Sequence, residues 1–347
     1  MSREVEALRR QAYACHIMGS PLYGAILDRC AAGEDDAAVL SLLSSRPDSE
    51  DLTEAAIPLR LMATVHRLAL EGRAPALASA YPSCGGDGKL EVAWPAFVSA
   101  VQDHQETIQD ELDHQLQTNE IGRAAALLGG FLFIVSRLRM PLRLLEIGAS
   151  AGLTLRWDNF RYEARSWSWG EPESLVRLTD NFKSDVLPFP PDMRVEVTER
   201  LGCDVSPIDP TDEEGRRRLL SFVWPDQTER IARLAAACEV ARTIGATVER
   251  ANGSDWLEGQ LRTACRGVVS VVFHSVVVQY LTPDDRRQLE RVLDEGGARA
   301  TSDAPLAYLS LEPRNGRGWL SLRMWPGNQQ FDLAQSSMHG RDVEWLQ

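Results

Sequence analysis

The stretch from Glu146 to Gly152, with the sequence EIGASAG, combines one acid with closely spaced small residues. Gly148, Ser150 and Gly152 fit the G-x-S-x-G pattern, in which a sharp turn between a strand and a helix presents a serine nucleophile. The same stretch fits a glycine-rich turn after the first strand of a nucleotide-binding sheet, where the backbone can approach a ligand. Ser150 is therefore either a nucleophile or a small residue beside a ligand.

The position of this stretch in the chain favours the ligand-binding turn. A nucleophile elbow belongs in a sheet that has already begun, whereas no segment before residue 142 has a convincing strand pattern. Asp303 and His339 could supply the acid and the histidine of a hydrolase in the required order. However, the segment SCGGDG lies between predicted helices and does not follow a strand as an oxyanion loop would. A serine hydrolase that uses Ser150 stays an alternative.

Acidic residues also follow the later strands. Asp204 lies in RLGCDVSP, at the end of the second predicted strand, where an acid can bind ribose hydroxyls. Asp255 lies in GSDWL after the third predicted strand and could bind an adenine amine, with Trp256 as apolar cover. Glu146, at the end of the first strand, could accept a hydrogen bond from a ligand's amine or ribose. These acids together predict a nucleotide-like ligand.

This ordered set resembles the class I S-adenosylmethionine-dependent methyltransferases over residues 140–347. The resemblance implies a Rossmann-like, mostly parallel sheet and S-adenosylmethionine as the cofactor. It also implies a cofactor site made of Glu146, Gly148, Ser150, Gly152, Asp204, Asp255 and Trp256. Serine stands where the family has its middle glycine, which its small side chain allows. A nicotinamide dinucleotide is disfavoured, because Thr154 occupies the sixth position of G-x-G-x-x-G.

The fourth predicted strand ends in Phe273-His274-Ser275, which departs from the acidic or Asn-Pro-Pro-Tyr ending of many such methyltransferases. In the methyltransferase strand order, the first and fourth strands are neighbours, so His274 should face the same crevice as Gly148. It could act as a general base toward a small methyl acceptor. The alternative is a histidine that caps the strand end and binds the backbone. The departure leaves the acceptor open, and with it a non-catalytic ligand-binding or regulatory protein on the same fold.

The segment QTNEIGR is unusually polar for the start of an apolar helix. Thr118 or Asn119 could cap that helix, and Glu120 and Arg123 could form a surface ion pair three residues apart. Alternatively, Asn119, Glu120 and Arg123 lie over the crevice as a lid or substrate clamp, where the guanidinium could bind a carboxylate.

The pattern of elements predicts an α/β fold class. Residues 1–140 have helical periodicity and predict an all-helical N-terminal domain, with one apolar stripe formed by Ile57, Leu61, Val65 and Leu68. Residues 141–347 alternate strands with helices, which predicts a parallel sheet with right-handed crossovers. Residues 154–191 are rich in tryptophan and proline and predict an insertion with a small aromatic cluster.

The whole chain also resembles the bacterial family named domain of unknown function 2332. The resemblance is carried by the segments YPSCGG, QTNEIGRAAAL, LLEIGASAGLTL, GCDVSPIDP, FHSVVVQYL and MHG. It supplies no activity, but it implies that both domains belong to one functional unit.

Composition limits the partners of the 347-residue chain. Its net charge of −13 argues against nucleic acid, whose phosphates require a basic surface. Six cysteines without a C-x-x-C pair suggest neither a metal site nor a redox motif. The N-terminus MSREVEALRR lacks the apolar core of a signal peptide, and the apolar run 124–135 is shorter than the ~20 residues of a membrane span. We therefore expect a cytoplasmic protein that binds a small molecule, without metal or membrane, and of open oligomeric state.

Overall fold

The computed structural model describes residues 2–33, 37–114 and 117–346. The chain forms two compact units, Met1–Thr118 with Asp212–Ala235, and Asn119–Thr211 with Ala236–Gln347. The division near residue 118 lies before the boundary predicted near residue 140. The helix between these two positions packs on the sheet of the second unit through Phe131, whose ring centroid is 5.2 Å from that of Phe273.

The described helices and strands follow in chain order. The helices are α1 (Arg3–Ile17), α2 (Pro21–Ala32), α3 (Ala38–Ser44), α4 (Ile57–Leu70), α5 (Pro75–Ala80), α6 (Leu90–Asp103), α7 (Gln105–Glu111), α8 (Arg123–Leu138), α9 (Glu213–Ser221), α10 (Thr228–Thr243), α11 (Gly253–Leu261) and α12 (Pro283–Arg299). The strands are β1 (Leu142–Ile147), β2 (Arg161–Glu163), β3 (Ser168–Gly170), β4 (Arg177–Leu178), β5 (Val197–Asp204), β6 (Thr247–Arg250), β7 (Val269–Ser275), β8 (Leu306–Arg314), β9 (Arg317–Trp325), β10 (Gln329–Ser336) and β11 (Glu344–Trp345). Short 3₁₀ helices lie at Pro82–Cys84, Thr154–Asn159 and Val278–Tyr280.

Helices and turns make up the described part of the first unit, as predicted for the N-terminal part of the chain. The predicted stripe on α4 is confirmed, because all four of its apolar residues are buried in the unit's core. The apolar residues Phe97, Val101, Ile108 and Leu112 predict one long helix over about 94–117. The structure has α6 and α7 there instead, separated at His104, while residues 115–116 lie outside the described residues. Ser20-Pro21 predicts a helix start and Gly33 a helix stop, and α2 confirms both with Pro21 as its first residue and Gly33 as its C-cap, but the hydroxyl of Ser20 donates to Asp226 rather than capping the helix.

The second unit contains an eight-stranded sheet in the described residues, with the order β11-β10-β9-β8-β7-β1-β5-β6. The five strands from β6 to β8 are parallel, whereas β9, β10 and β11 add on as antiparallel strands. The predicted α/β class is confirmed, and the sheet is mixed because short turns, not helices, connect β8, β9 and β10. Sequence patterning did not reveal β10, whose polar residues alternate poorly.

The strand order reverses between β1 and β7. Strands β5 and β6 follow β1 on one side, and the chain then crosses to β7 and β8 on the other side. Every residue of β1 is buried, and Glu146 pairs in register with Phe273 of β7. In open α/β sheets, ligands bind beyond the carboxyl ends of the strands at such a reversal.

Both faces of the sheet are covered. On one face, Phe131 of α8 packs against Phe273 and stacks on Trp157, with ring centroids 4.3 Å apart. On the other face, residues of α11 and α12 form an apolar cluster with Leu145 and Val272. Trp157 also stacks on Trp169 at 5.4 Å, so part of the predicted aromatic cluster of residues 154–191 is confirmed. That segment carries a separate three-stranded sheet, β3-β2-β4.

The segment TPDDRRQLERVLDEGG predicts a helix with a proline start and a glycine stop, and the predicted stop is wrong. Gly296 and Gly297 lie inside the helix, which continues to Arg299. A Cβ on Gly297 would lie 2.3 Å from Nε1 of Trp325, and one on Gly296 would lie 2.9 Å from Cδ1 of Leu261. The two glycines therefore allow close packing of the helix instead of ending it. In the described part of the chain, no helix combines the length and apolar character needed to cross a membrane.

Candidate functional site

The turn after β1 requires an unusual backbone. Gly148, Ser150 and Gly152 have φ values of +65°, +52° and +62°, in the left-handed region that glycine adopts most readily. A Cβ on Gly148 would also lie 2.8 Å from Cγ2 of Val277, which leaves no space for a side chain. The turn at residues 148–152 therefore brings bare backbone to the carboxyl edge of the sheet at the reversal point.

Ser150 is held by two other predicted site residues. Its backbone N–H donates to Oδ2 of Asp204 at 2.9 Å, and its Oγ accepts from Nδ2 of Asn119 at 2.8 Å. The second carboxylate oxygen of Asp204 accepts from the N–H of Ser206 at 2.8 Å. Asp204 therefore fixes the shape of the turn, whatever else it binds.

Glu146 is a buried acid directly before the turn. The residue is 5% exposed, and its Oε2 has no hydrogen-bond partner among the described residues. Burial raises the pKa of Glu146 well above its usual value, and the nearby charge of Asp204 adds to this, against the opposing charge of Arg156. The site therefore holds a carboxyl group that favours the uncharged form and retains an unused oxygen.

We expect the substitution Glu146→Gln to stabilise the ligand-free protein at neutral pH. A raised pKa means that stability contributed by the neutral carboxyl is present in acid and is lost as the pH rises through that pKa. A gain in stability is therefore expected near pH 8, with little gain near pH 4. Denaturant unfolding at both pH values measures it. A variant less stable than wild type near pH 8 would show that burial is not the dominant influence on Glu146.

The residues predicted to cover an adenine lie at the start of α11. Asn252 caps this helix, accepting from the N–H groups of Ser254 and Asp255. Oδ1 of Asp255 accepts from the side chain of Gln288 at 2.7 Å. Trp256 is 7% exposed and packs in the apolar cluster under the sheet, where its Nε1 donates to Glu249 at 3.0 Å. Trp256 is thus largely covered by protein, while Asp255 remains on the outside of the helix.

His274 is completely buried near the end of β7, with both ring nitrogens engaged. Nδ1 lies 2.7 Å from Oε1 of Glu312, and Nε2 lies 2.7 Å from the hydroxyl of Tyr308. Since successive side chains of a strand point to opposite faces, His274 lies on the other face from Phe273 and therefore from Glu146. The structure does not bring the side chains of His274 and Glu146 together.

Glu312 links His274 to the glycine turn indirectly. Its Oε1 also accepts the N–H of Val277 at 2.8 Å, and Val277 is the residue that contacts Gly148. Burial raises the pKa of Glu312, but the hydrogen bond and charge of His274 and two backbone N–H groups outweigh burial and leave that pKa below its usual value. Burial, then the charges of Glu290 and Glu312, raise the pKa of Tyr308.

Glu312 and Tyr308 were missed by sequence reasoning, although a signal existed. In β8 the residues 308, 310 and 312 are polar and alternate with leucines, so they share one face. Strand β8 pairs with β7, and His274 lies opposite Ser310 in register. The apolar pattern predicts a closing strand over Leu306–Leu311, which ends one residue before Glu312.

The loop between β7 and α12, residues 276–281, is strained. Val276 has a φ of +58°, which is a genuine outlier for a β-branched residue. The N–H of Val276 donates to the carbonyl of Leu311 at 2.9 Å. Oε1 of Glu312 accepts from the N–H groups of Val277 and Val278. Backbone strain of this kind concentrates at functional sites. Here it lies at the reversal of the strand order, against the glycine turn.

The polar segment before α8 converges on the same edge of the sheet. Asn119 binds Ser150, as described above, and Nε and Nη1 of Arg123 donate to the carbonyls of Met338 and Ser275 at 3.0 and 3.3 Å. Glu120 is buried, and its Oε1 accepts from the N–H of Gly122 at 3.0 Å. The predicted helix cap by Thr118 or Asn119 was wrong, because α8 begins only at Arg123 and Gly122 occupies the cap position.

His339-Gly340 predicts a turn in the segment MHG rather than a histidine that reaches the site. The structure has this turn, which packs against the start of α8. Gly340 has a φ of +68°, and a Cβ at this position would lie 2.1 Å from the carbonyl oxygen of Gly122. Nδ2 of Asn181 donates to the carbonyl of Gly340 at 2.7 Å, while its Oδ1 is buried without a partner among the described residues. Three segments that are distant in sequence therefore meet around the α8 N-terminus.

The fold and this site define an α/β protein with a glycine turn at the strand reversal, enclosed by the start of α8 and the loop after β7. In residues 2–33, 37–114 and 117–346, no group of three or more His, Cys, Asp or Glu side chains is arranged to hold a metal ion. The family described as "Uncharacterized protein conserved in bacteria (DUF2332)" matches residues 5–345, so the chain belongs to this family. No curated protein and no solved structure matches the chain.

Proposed function

We propose that this protein binds S-adenosylmethionine at the turn of residues 148–152 and catalyses methyl transfer to a small molecule. The observation that carries the proposal is the buried Oε2 of Glu146, which lies directly before the turn and has no hydrogen-bond partner in the described part of the chain. The strand order supports the proposal. The five parallel strands lie side by side as β6-β5-β1-β7-β8, and when they are numbered 1 to 5 along the chain this order is 3-2-1-4-5, as in doubly wound nucleotide-binding sheets. When bound, S-adenosylmethionine supplies an electrophilic methyl group on a sulfonium.

The chemistry of Glu146 fits a cationic ligand. Burial disfavours the carboxylate, whereas a positive charge within hydrogen-bonding distance favours it. An ammonium group that donates to Oε2 would restore the charged form and satisfy the unused acceptor. Gly148 and Gly152 would let the backbone approach the same part of the ligand.

Asp204 would bind the ribose. A carboxylate offers about four acceptor positions, so it can accept hydrogen bonds from more than one group. The N–H groups of Ser150 and Ser206 hold its two oxygens beside the turn. Asp255 and Trp256 would lie at the adenine end, where the carboxylate of Asp255 is accessible beside Gln288. Asn119, Glu120 and Arg123 would contact the methyl acceptor or close over it, because two of them already bind the turn and the end of β7.

We propose that His274 acts mainly as a positioning residue. Its imidazole supports Glu312, and Glu312 holds the N–H groups of the loop that contacts Gly148. A general-base role for His274, which the sequence predicts, would require the ring to exchange its contact with Tyr308 or Glu312 for one with the acceptor. This arrangement favours a second candidate function, a binding or regulatory protein that recognises the same ligand without transferring its methyl group.

Calorimetric titration with S-adenosylmethionine and S-adenosylhomocysteine tests the proposal. We expect both to bind, and in a melt a ligand at a hundred times its Kd should add about 2.7 kcal/mol to the unit that binds it. Asp204→Ala should weaken binding at least about tenfold, because each lost hydrogen bond to a charged group is worth about 1.5–3 kcal/mol. The matched control is Asp303→Ala, an exposed acid that pairs with Arg266 at 3.8 Å.

Failure of either ligand to bind at millimolar concentration would reject the proposal. Unchanged binding by the Asp204 variant would reject the ribose assignment alone. Binding without transfer of a radiolabelled methyl group to cell-extract metabolites would favour the regulatory alternative. For the hydrolase alternative, fluorophosphonate labelling that is lost in Ser150→Ala would show that Ser150 is a nucleophile.

A further inference from the structure

The second unit contains a cavity between α8, residues 188–190 and the last strands of the sheet. Its volume is about 390 Å³, within the range of about 300–1,000 Å³ that is typical of small-molecule sites. Most of its wall is apolar and includes Phe133, Phe189, Leu333 and Trp345. A cavity with this lining would favour the apolar body of a ligand.

Two groups in the wall lack a hydrogen-bond acceptor. The guanidinium of Arg137 lies 5.0 Å from the ring centroid of Phe133, and no carboxylate or carbonyl binds it among the described residues. Nε1 of Trp345 is buried and has no partner in that part of the chain. In contrast, the hydroxyl of Ser136 is engaged, since it donates to the carbonyl of Phe133 at 2.7 Å. The unused polar groups are therefore both donors, and one of them carries a positive charge.

The cavity is separate from the glycine turn. Arg123, at the first residue of α8, binds the end of β7, whereas Arg137 lies in the last turn of the same helix. At a rise of about 1.5 Å per residue, the two arginines are about 20 Å apart along the helix. A ligand in this cavity would not touch the site proposed for S-adenosylmethionine.

We propose that this cavity binds a small apolar monocarboxylate. The aromatic and aliphatic wall would bury the hydrocarbon body, and Arg137 would bind the carboxylate through charge-assisted hydrogen bonds. Because the observations concern Arg137 and Trp345 only, this inference does not depend on the proposed methyltransferase function.

Calorimetric titration with decanoate and with decanol, which share the same hydrocarbon body, tests the inference. We expect wild-type protein to bind decanoate saturably below its micelle-forming concentration, and to bind decanol at least about tenfold more weakly, the factor that corresponds to 1.4 kcal/mol. Arg137→Gln should reduce decanoate affinity by about the same factor and leave decanol binding unchanged. The matched control is Arg139→Gln, which removes an exposed arginine at the end of the same helix and should change neither affinity.

A cavity-filling variant gives a second readout. Ser136→Trp places a large ring in the space and should abolish binding of both probes, with retention of the wild-type circular dichroism spectrum as the check on folding. Binding of S-adenosylmethionine should be the same in Arg137→Gln as in wild type. The inference is overturned if decanoate does not bind, if decanol binds as tightly as decanoate, or if Arg137→Gln and Arg139→Gln have equal effects.

Discussion

Replacing Glu312 with alanine should lower the free energy of unfolding by about 1.5–3 kcal/mol or more, because it removes hydrogen bonds to a charged carboxylate. The carboxylate is the partner of Nδ1 of His274 and of the N–H of Val277. Its loss would leave the fully buried imidazole without one of its two partners and release the strained loop against the glycine turn. Denaturant unfolding measures the effect.

The Glu312→Gln variant separates shape from charge. The amide oxygen of glutamine still accepts from the backbone N–H groups. The free energy of unfolding should therefore fall less in this variant than in the alanine variant. Glu344→Ala is the control for loss of a carboxylate, because Glu344 forms an exposed pair with Lys183 that should contribute little to stability. Equal effects of Glu312→Ala and Glu344→Ala would contradict the role assigned to the buried carboxylate.

The stabilisation by Glu312 should depend on pH. Its pKa in the folded protein lies below the usual value, so its contribution is present above the usual carboxyl pKa and is lost as the pH falls through the lowered one. The difference in stability between wild type and Glu312→Ala should therefore be largest near neutral pH and shrink in acid. A difference that grows in acid would contradict the direction of this pKa shift.

Gly340→Ala should destabilise the second unit by about 3 kcal/mol or more. The left-handed backbone costs an L-residue about 1–2 kcal/mol, and the new Cβ would overlap the backbone of Gly122, which adds an overpacking cost of about 1–3 kcal/mol. The turn at 338–340 would have to move away from the start of α8. Arg123 would then lose the carbonyl of Met338.

Gly316→Ala is a matched control for this prediction. Gly316 has a similar φ of +77°, but a Cβ there would meet nothing within 4 Å. Its substitution should therefore cost only the backbone strain, about 1–2 kcal/mol. If the two alanine variants were equally stable in denaturant unfolding, close packing between the MHG turn and α8 would not contribute to stability.

The large features of the fold were within reach of sequence reasoning. The buried run before Gly148 and the apolar stripe of α4 depend on local periodicity, and both were found. The mixed character of the sheet was missed, because antiparallel pairing of β8, β9 and β10 depends on partner choice rather than on the pattern of any one strand. Gly296 and Gly297 misled the prediction for a related reason, since only their tertiary neighbours explain them.

The candidate site was partly predictable. Glu146, Asn119 and Asp204 were selected for chemical type and position, and the structure brings all three to the turn around Ser150. The polar alternation in β8 indicated that Tyr308 and Glu312 share a face, but their partnership with His274 was missed, because it depends on register between two strands separated by a helix. The face on which a strand residue lies reverses with a shift of one position, so His274 could not be assigned to a face from its spacing alone.

The most direct test of the central claim is the number of protons released when S-adenosylmethionine binds, measured by calorimetry at one pH in buffers of different ionisation enthalpy. Between the usual carboxyl pKa and the raised pKa of Glu146, a cationic ligand should convert the neutral carboxyl to a carboxylate. We therefore expect proton release with wild type, affinity that rises with pH, and weaker binding without this release in Glu146→Gln. Equal affinity and equal proton release in the two proteins, or no binding by wild type, would contradict the account.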